Sequence, residues 1–192
     1  MRVTVQETPI PDCLLVSHEA VEDPRGFFTE VFRADTYRER GLPDAFVQVN
    51  LSRSRRRVVR GLHFQWEPPV GKLMRVARGA AYLVAVDLRK GSPTLGKYFG
   101  VELDDSSRRL LWAPGSFARG FCALSDGADI EYFGTAVYNP RADGGIRWND
   151  SAIGVAWPEK DPIVSERDRT GQTLAEWLAR PESDAFRYEP RR

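Results

Sequence analysis

Histidine is scarce: His18 and His63 are the only two in 192 residues. A metal site built on two or three histidines and a carboxylate would need both, with partners at ligand spacing, and no such cluster stands in the sequence. Cys13 and Cys122 are too few for a disulfide framework and lack zinc-site spacing. Charge of one sign is also missing. Lys and Arg total 28 against 27 Asp and Glu, a formal charge of +1, which excludes the broad basic footprint of a nucleic-acid-binding protein. An anionic partner must be met locally. No apolar run approaches the roughly 20 residues of a membrane span. The opening stretch MRVTVQETPIPD holds no apolar segment of signal-peptide length, so the expected compartment is the cytoplasm. No repeat or low-complexity tract divides the chain, and its length suits a single domain over residues 1–192.

What is present reads as β-structure. Turn signals recur at Asp23–Gly26, Lys90–Pro93, Ala113–Ser116, Ser125–Gly127 and Asn139–Pro140. Between them lie runs rich in Val, Tyr, Phe and Leu: Phe27–Phe32, Val58–Phe64, Leu73–Val76, Ala81–Leu88, Tyr98–Leu103, Arg109–Trp112, Gly120–Leu124 and Ile130–Tyr138. Many short strands at this spacing predict an all-β sandwich or barrel. Helix is a minor component, expected at Arg33–Arg40 and Thr170–Leu178. The polar and basic stretch Ser183–Arg192 reads as loosely held.

Strand alternation puts Gly61, His63 and Gln65 on one face and Leu62 and Phe64 on the other. Small and polar neighbours suit a ligand-facing histidine, although the pattern fits a solvated or hydrogen-bonded one equally well. Tyr132, Gly134, Ala136 and Tyr138 share a face if Ile130–Tyr138 is one strand. At ~3.3 Å per residue the two tyrosines would then stand roughly 20 Å apart, so only an extended ligand could touch both. Two aromatics of a core or a wet face give the same pattern. Lys72 alone reads as a solvated strand end, and Ser52–Arg57, without interleaved aromatics, as a solvated turn rather than a nucleic-acid patch.

Taken as a set, the motifs resemble the family of dTDP-4-dehydrorhamnose 3,5-epimerases over about residues 20–175. They are Asp23-Pro24-Arg25-Gly26-Phe27-Phe28-Thr29-Glu30, Gln48-Val49-Asn50-Leu51-Ser52, Arg60-Gly61-Leu62-His63-Phe64-Gln65, Lys72, and Val86-Asp87-Leu88-Arg89-Lys90-Gly91-Ser92-Pro93. Gly120-Phe121, Tyr132, Tyr138-Asn139-Pro140, Gly145-Ile146-Arg147-Trp148-Asn149-Asp150 and Ser165-Glu166-Arg167-Asp168 follow in order. The resemblance implies a cupin-type double-stranded β-helix, a jelly-roll barrel with short peripheral helices, acting on a nucleotide sugar without cofactor or metal. A 4-keto group acidifies C3 and C5, so inverting them needs a base on one face and an acid on the other. By resemblance His63 is the base, Asp168 orients it, Tyr132 is the proton donor and Lys72 the cation at the C4 oxygen. Arg25, Glu30, Gln48, Asn50 and Arg60 are placed around the nucleotide and diphosphate, with Tyr138 lining the site. The family also implies a homodimer whose N-terminal strands cross, so that Arg25 and Glu30 serve the neighbour's pocket.

Strict alternation would point Arg60 away from His63, so an irregularity near Gly61 is expected if both reach the ligand. Two positions depart from the family pattern: Arg119 replaces a histidine and Leu83 an aspartate. Replacement of both together suggests that they are neighbours. Arg119 cannot relay a proton, though it can hold an oxyanion or phosphate of the substrate. The expected consequence is an altered choice of sugar, or inversion of one centre only. A barrel that binds nucleotide sugar without catalysis is the reading from another class, since fold does not guarantee function.

Overall fold

The computed structural model describes residues 1–190. In chain order the elements are β1 (Val3–Glu7), β2 (Leu14–His18), β3 (Ala20–Asp23), β4 (Gly26–Thr29), α1 (Ala34–Glu39), β5 (Gln48–Ser54) and β6 (Val59–Gln65). Next come β7 (Lys72–Arg78), β8 (Ala80–Asp87), β9 (Tyr98–Asp104), β10 (Arg109–Ala113), β11 (Phe117–Ala123), β12 (Ala128–Gly134) and β13 (Asp143–Gly145). Helices α2 (Glu166–Arg169) and α3 (Leu174–Ala179) and a 3-10 turn at Pro181–Ala185 follow. One sheet runs β1-β2-β10-β7-β12-β5 and the other β13-β6-β11-β8-β9, with β3 and β4 as a separate hairpin. This is the expected all-β, cupin-type double sheet with short peripheral helices.

Three apolar layers explain why the strands form where they do. Between the sheets lie Leu15, Met74, Val76, Leu83, Leu111, Phe117, Phe121 and Ile130. Leu62, Phe64, Val84, Val86 and Ala118 face outward from the second sheet onto Ile146, Leu174, Trp177 and Phe186. Val16, Leu73, Leu110 and Trp112 face outward from the first sheet onto Tyr37 and Leu42. Strands β8 and β11 are covered on both faces, which is why Ala-Ala-Tyr-Leu-Val-Ala-Val reads as a continuous apolar run instead of alternating.

The structure departs from the sequence reading in several places. β12 ends at Gly134, and Thr135 N–H turns back onto Gly71 O, so Tyr138 lies on a loop and not on that strand. β4 stops at Thr29, three residues before the expected Phe32, and β11 begins three before the expected Gly120. Ser52–Ser54 belong to β5, with Arg53 paired to Asp129 at 2.7 Å, so the solvated turn is confined to Arg55–Arg57. The helix expected at Thr170–Leu178 is the shorter α3, Leu174–Ala179: Thr173 caps it in a reciprocal box with Glu176 and so delays its start, and the separate α2 ends before Thr170. The tail is docked through Tyr188: Phe186 is fully buried, Lys90 N–H donates to Phe186 O, and Tyr188 lies under the Arg89 guanidinium. Arg191 and Arg192 lie outside the described residues. Among the described residues no helix is long and apolar enough to cross a membrane.

His18, the histidine away from the second sheet, is buried with Nε2 2.9 Å from Tyr37 Oη. Burial, then the Arg75 charge, push its pKa from 6.5 down to about 4. Below the unfolded pKa the unfolded chain takes up a proton that the folded one refuses. Stability from this residue is therefore complete above about pH 6.5 and falls as pH drops towards 4, by up to about 1.4 kcal/mol per unit. Urea denaturation of wild type against His18→Gln is expected to show this slope only in wild type; parallel pH profiles would rule it out.

Candidate functional site

Strand register assembles the site. Residues opposite one another in an antiparallel pair share a face, so Gln48, Gly134 and Lys72 form one inward row, and Asn50, Tyr132 and Met74 the next. From the other sheet Arg119 stands opposite His63. The pairing of β6 with β11 then slips: Phe121 faces Arg60, so three residues of β6 span two of β11. That bulge puts Arg60 and His63 on the same face, which is the expected irregularity at Gly61. The close approach is possible because Gly61 has φ +139° and a Cβ there would stand 2.7 Å from Gly120 Cα.

His63 lines an inward cavity of about 250 Å³ together with Gln48, Asn50, Lys72, Tyr132 and Tyr138. A second cavity of about 240 Å³ shares Asn50, His63, Lys72 and Tyr132 and adds Arg60 and Arg119. Among the described residues three cations line this inner chamber and no carboxylate does. Tyr132 and Tyr138 thus meet one cavity by a turn of the chain, not along an extended strand.

His63 Nε2 lies 2.6 Å from Asp168 Oδ1. Burial works against the Asp168 charge, yet bonds from His63, the Gly61 N–H and Ser165 outweigh it and hold the carboxyl below its ordinary value. A carboxylate only accepts, so Nε2 carries a proton, and in the neutral ring Nδ1 is the nitrogen with the free lone pair. Asp168 sits at the third position of α2, where Ser165 Oγ caps its N–H at 3.1 Å. Lys72 Nζ stands 5.6 Å from the Tyr132 ring centroid. Burial, and then the Arg119 charge, bring Lys72 down to about 8. Burial pushes Tyr132 up to about 12, so it remains a neutral donor, 3.1 Å from Ser52 Oγ.

Gln48 and Asn50 bond each other at 3.0 Å, and Gln48 Oε1 accepts the Tyr138 N–H at 2.8 Å, which ties the mouth loop to β5. Arg60 Nε donates to Ser54 Oγ at 3.0 Å. Arg119 is buried, with Nη1 donating to Val70 O and Pro114 O. Leu83 faces Phe121 while Arg119 faces Ala85, so positions 83 and 119 are diagonal neighbours on one face, as their joint replacement suggested. Arg25 and Glu30 are the exceptions. Arg25 is 90% exposed at the tip of the β3–β4 hairpin, paired with Asp23, and neither residue lines a cavity with His63. Within one chain they are not brought to the site, because the hairpin stands apart from both sheets.

Sequence reasoning gave no role to Asp143 and Arg167. They pair at 2.8 Å at the cavity mouth, and Tyr138 Oη donates to Asp143 at 2.9 Å. The one signal was the position of Arg167 directly before Asp168.

An inward-facing histidine with a carboxylate behind it, a neutral tyrosine and a half-buried lysine form, in a β-barrel, a set of groups suited to proton transfer. The description dTDP-4-dehydrorhamnose 3,5-epimerase belongs to the family that matches residues 7–176, and the chain is a member of it. A dTDP-4-dehydrorhamnose 3,5-epimerase from Methanothermobacter thermautotrophicus is 46% identical over 173 residues, covering 88% of this chain and 94% of that protein. Another, from Neisseria gonorrhoeae, is 43% identical over 95% of this chain, which spans only 55% of that relative's length. A dTDP-4-dehydrorhamnose 3-epimerase from Streptomyces niveus is 40% identical over 84% of this chain and 79% of its own. Among solved structures, a dTDP-6-deoxy-D-glucose-3,5-epimerase from Legionella pneumophila, in complex with dTDP-4-keto-L-rhamnose, matches with a TM-score of 0.92 at 37% identity. It covers 98% of this chain and 100% of that one.

Gly61→Ala is expected to cost about 2–4 kcal/mol, from a disfavoured φ and contact with Gly120. Urea denaturation measures it; an unchanged midpoint would show that the two strands can separate freely.

Proposed function

We propose that this protein is a cofactor-independent epimerase of a dTDP-4-keto-6-deoxy sugar, inverting C3 and C5, and that it works in the cytoplasm as a homodimer. The observation that carries the reading is the His63–Asp168 bond of 2.6 Å opening on a cavity shared with Lys72 and Tyr132. His63 Nδ1 takes the proton from carbon. The C–H pair becomes a C=C bond to C4, and the carbonyl π pair moves onto the C4 oxygen. Asp168 stabilises the imidazolium, and Lys72 the enolate charge in a low-dielectric chamber. Tyr132 Oη–H returns a proton from the opposite face. The Arg60 guanidinium suits diphosphate oxygens, and Gln48, Asn50 and the Tyr138 ring suit the base at the mouth.

Inversion of a single centre is the second reading. Arg119 and Leu83 favour it by setting a fixed cation where the family has a histidine and an aspartate.

For the dimer, a second copy is the natural cover for the exposed apolar residues Phe27 and Phe28 of the hairpin and Val47, Val49 and Leu51 at the β5 edge. A hairpin exchanged between copies would carry Arg25 and Glu30 to the partner's pocket.

Proton NMR in deuterated water with dTDP-4-keto-6-deoxyglucose is expected to show label at C3 and C5 in wild type and none in His63→Ala. Retained exchange in the variant would remove His63 as base. The Lys72 charge is lost as pH rises through about 8, so kcat/KM is expected to fall above that pH, and the fall to move upward in Lys72→Arg. An unmoved limb would assign the titration elsewhere. Co-expression of Arg25→Ala with His63→Ala, each inactive or weak alone, is expected to restore activity, because the hybrid dimer then holds one intact site. A dead hybrid would place Arg25 outside the partner's pocket.

A further inference from the structure

Arg119 is 4% exposed and tied at one end only. Nη1 donates to Val70 O at 2.7 Å and to Pro114 O at 3.0 Å. Nε and Nη2, on the other edge of the guanidinium, have no hydrogen-bond partner although both are buried. These two N–H groups form the side-on fork that binds paired oxygens. No ion pair reaches Arg119 among the described residues, and its diagonal neighbour Leu83 offers no acceptor. Opposite it on β6 is His63, and the chamber that both line also holds Lys72 and Tyr132. Anchored at one end and unsatisfied at the other, Arg119 stands in the wall of the chamber that His63 also lines.

The chemistry at C3 generates such a pair. When His63 takes the C3 proton, the C–H electrons form the C3=C4 bond and the carbonyl π electrons settle on O4. O3, still a hydroxyl, and O4 then lie in one plane on the same double bond. Two coplanar neighbouring oxygens match two parallel N–H groups. Deprotonation at C5 instead makes C4=C5, and O3 remains on a tetrahedral carbon, outside the double bond and free to turn with the ring. The two half-reactions therefore offer the fork different targets.

Resting on the reading of the substrate as a 4-keto sugar, we propose that Arg119 is a catalytic residue for the C3 inversion, its Nε–Nη2 fork holding O3 and O4 of the planar enediolate. It gives up no proton. The proton taken from C3 stays on His63 until solvent removes it, and Tyr132 supplies the one that returns. A 3-hydroxyl next to the keto group becomes a requirement for fast exchange at C3 and not for exchange at C5.

The test follows deuterium at C3 and C5 separately in wild type, Arg119→Lys and Arg119→Gln. Exchange at C3 is expected to fall about 100-fold in both variants, as for loss of one oxyanion donor, while C5 changes less than about 10-fold and so reports that the variant is folded. Wild type given a 3-deoxy-4-keto analogue, a measurement that needs no variant, is expected to lose C3 exchange relative to C5 by a similar factor. Equal losses at the two carbons with the analogue, no change in the variants, or wild-type exchange at C5 alone would each overturn the assignment of Arg119 and leave the epimerase reading intact. Exchange at neither carbon in wild type would overturn both.

Discussion

The contact between Gly61 and Gly120 is the constraint on which the site depends. A Cβ at Gly61 would reach 2.7 Å from Gly120 Cα, and one at Gly120 would reach 2.7 Å from Arg60 O. Only because both side chains are absent can β6 carry an extra residue against β11. The bulge turns Arg60 inward beside His63, and the freed Gly61 N–H points at Asp168 Oδ2, 3.3 Å away. The direction of Arg60, the position of His63 and the charge of Asp168 are thus set by one local departure from strand geometry.

Electrostatics follow from what the two sheets turn inward. Arg60, Lys72 and Arg119 face an inner chamber without a carboxylate, and the acids stand at its edges, Asp168 behind the histidine and Asp143 at the mouth with Arg167. A chamber of this kind holds cations close together, and their mutual repulsion favours an anionic ligand. Organising the site before substrate arrives costs stability in the free protein, and the apolar layers on both sides of the second sheet offset it.

Much of this was legible in the sequence because turn residues and apolar runs alternate so regularly from Tyr98 to Ile130. His63, the bend at Gly61 and the pairing of positions 83 and 119 could be read from local pattern and motif order. The rest was hidden for physical reasons. Val3–Glu7 and Gln48–Ser54 are edge strands in which polar residues alternate with the few apolar ones; in β5 the inward residues Gln48 and Asn50 are the polar ones and Val49 and Leu51 are exposed, so neither strand has the apolar run that marks a buried one. The end of β12 is set by a bond from Thr135 to Gly71, a partner far away in sequence. The tail is fixed by one buried ring, Phe186, and by main-chain bonds to Lys90, which composition does not register. Arg25 and Glu30 were placed at the site by motif alone, and nothing in the local pattern separates a residue that serves its own chain from one that serves a copy.

Asp168 follows His63 by 105 positions and sits on a four-residue helix that packs against β6. During synthesis the strand bearing His63 emerges long before the carboxylate that pairs with it, and β11 and β8, which complete the sheet beside β6, are made in between. Half-made chains therefore carry an unpaired histidine on an incomplete sheet. The His63–Asp168 pair thus joins two distant parts of the chain, and a chain cut short before α2 lacks it.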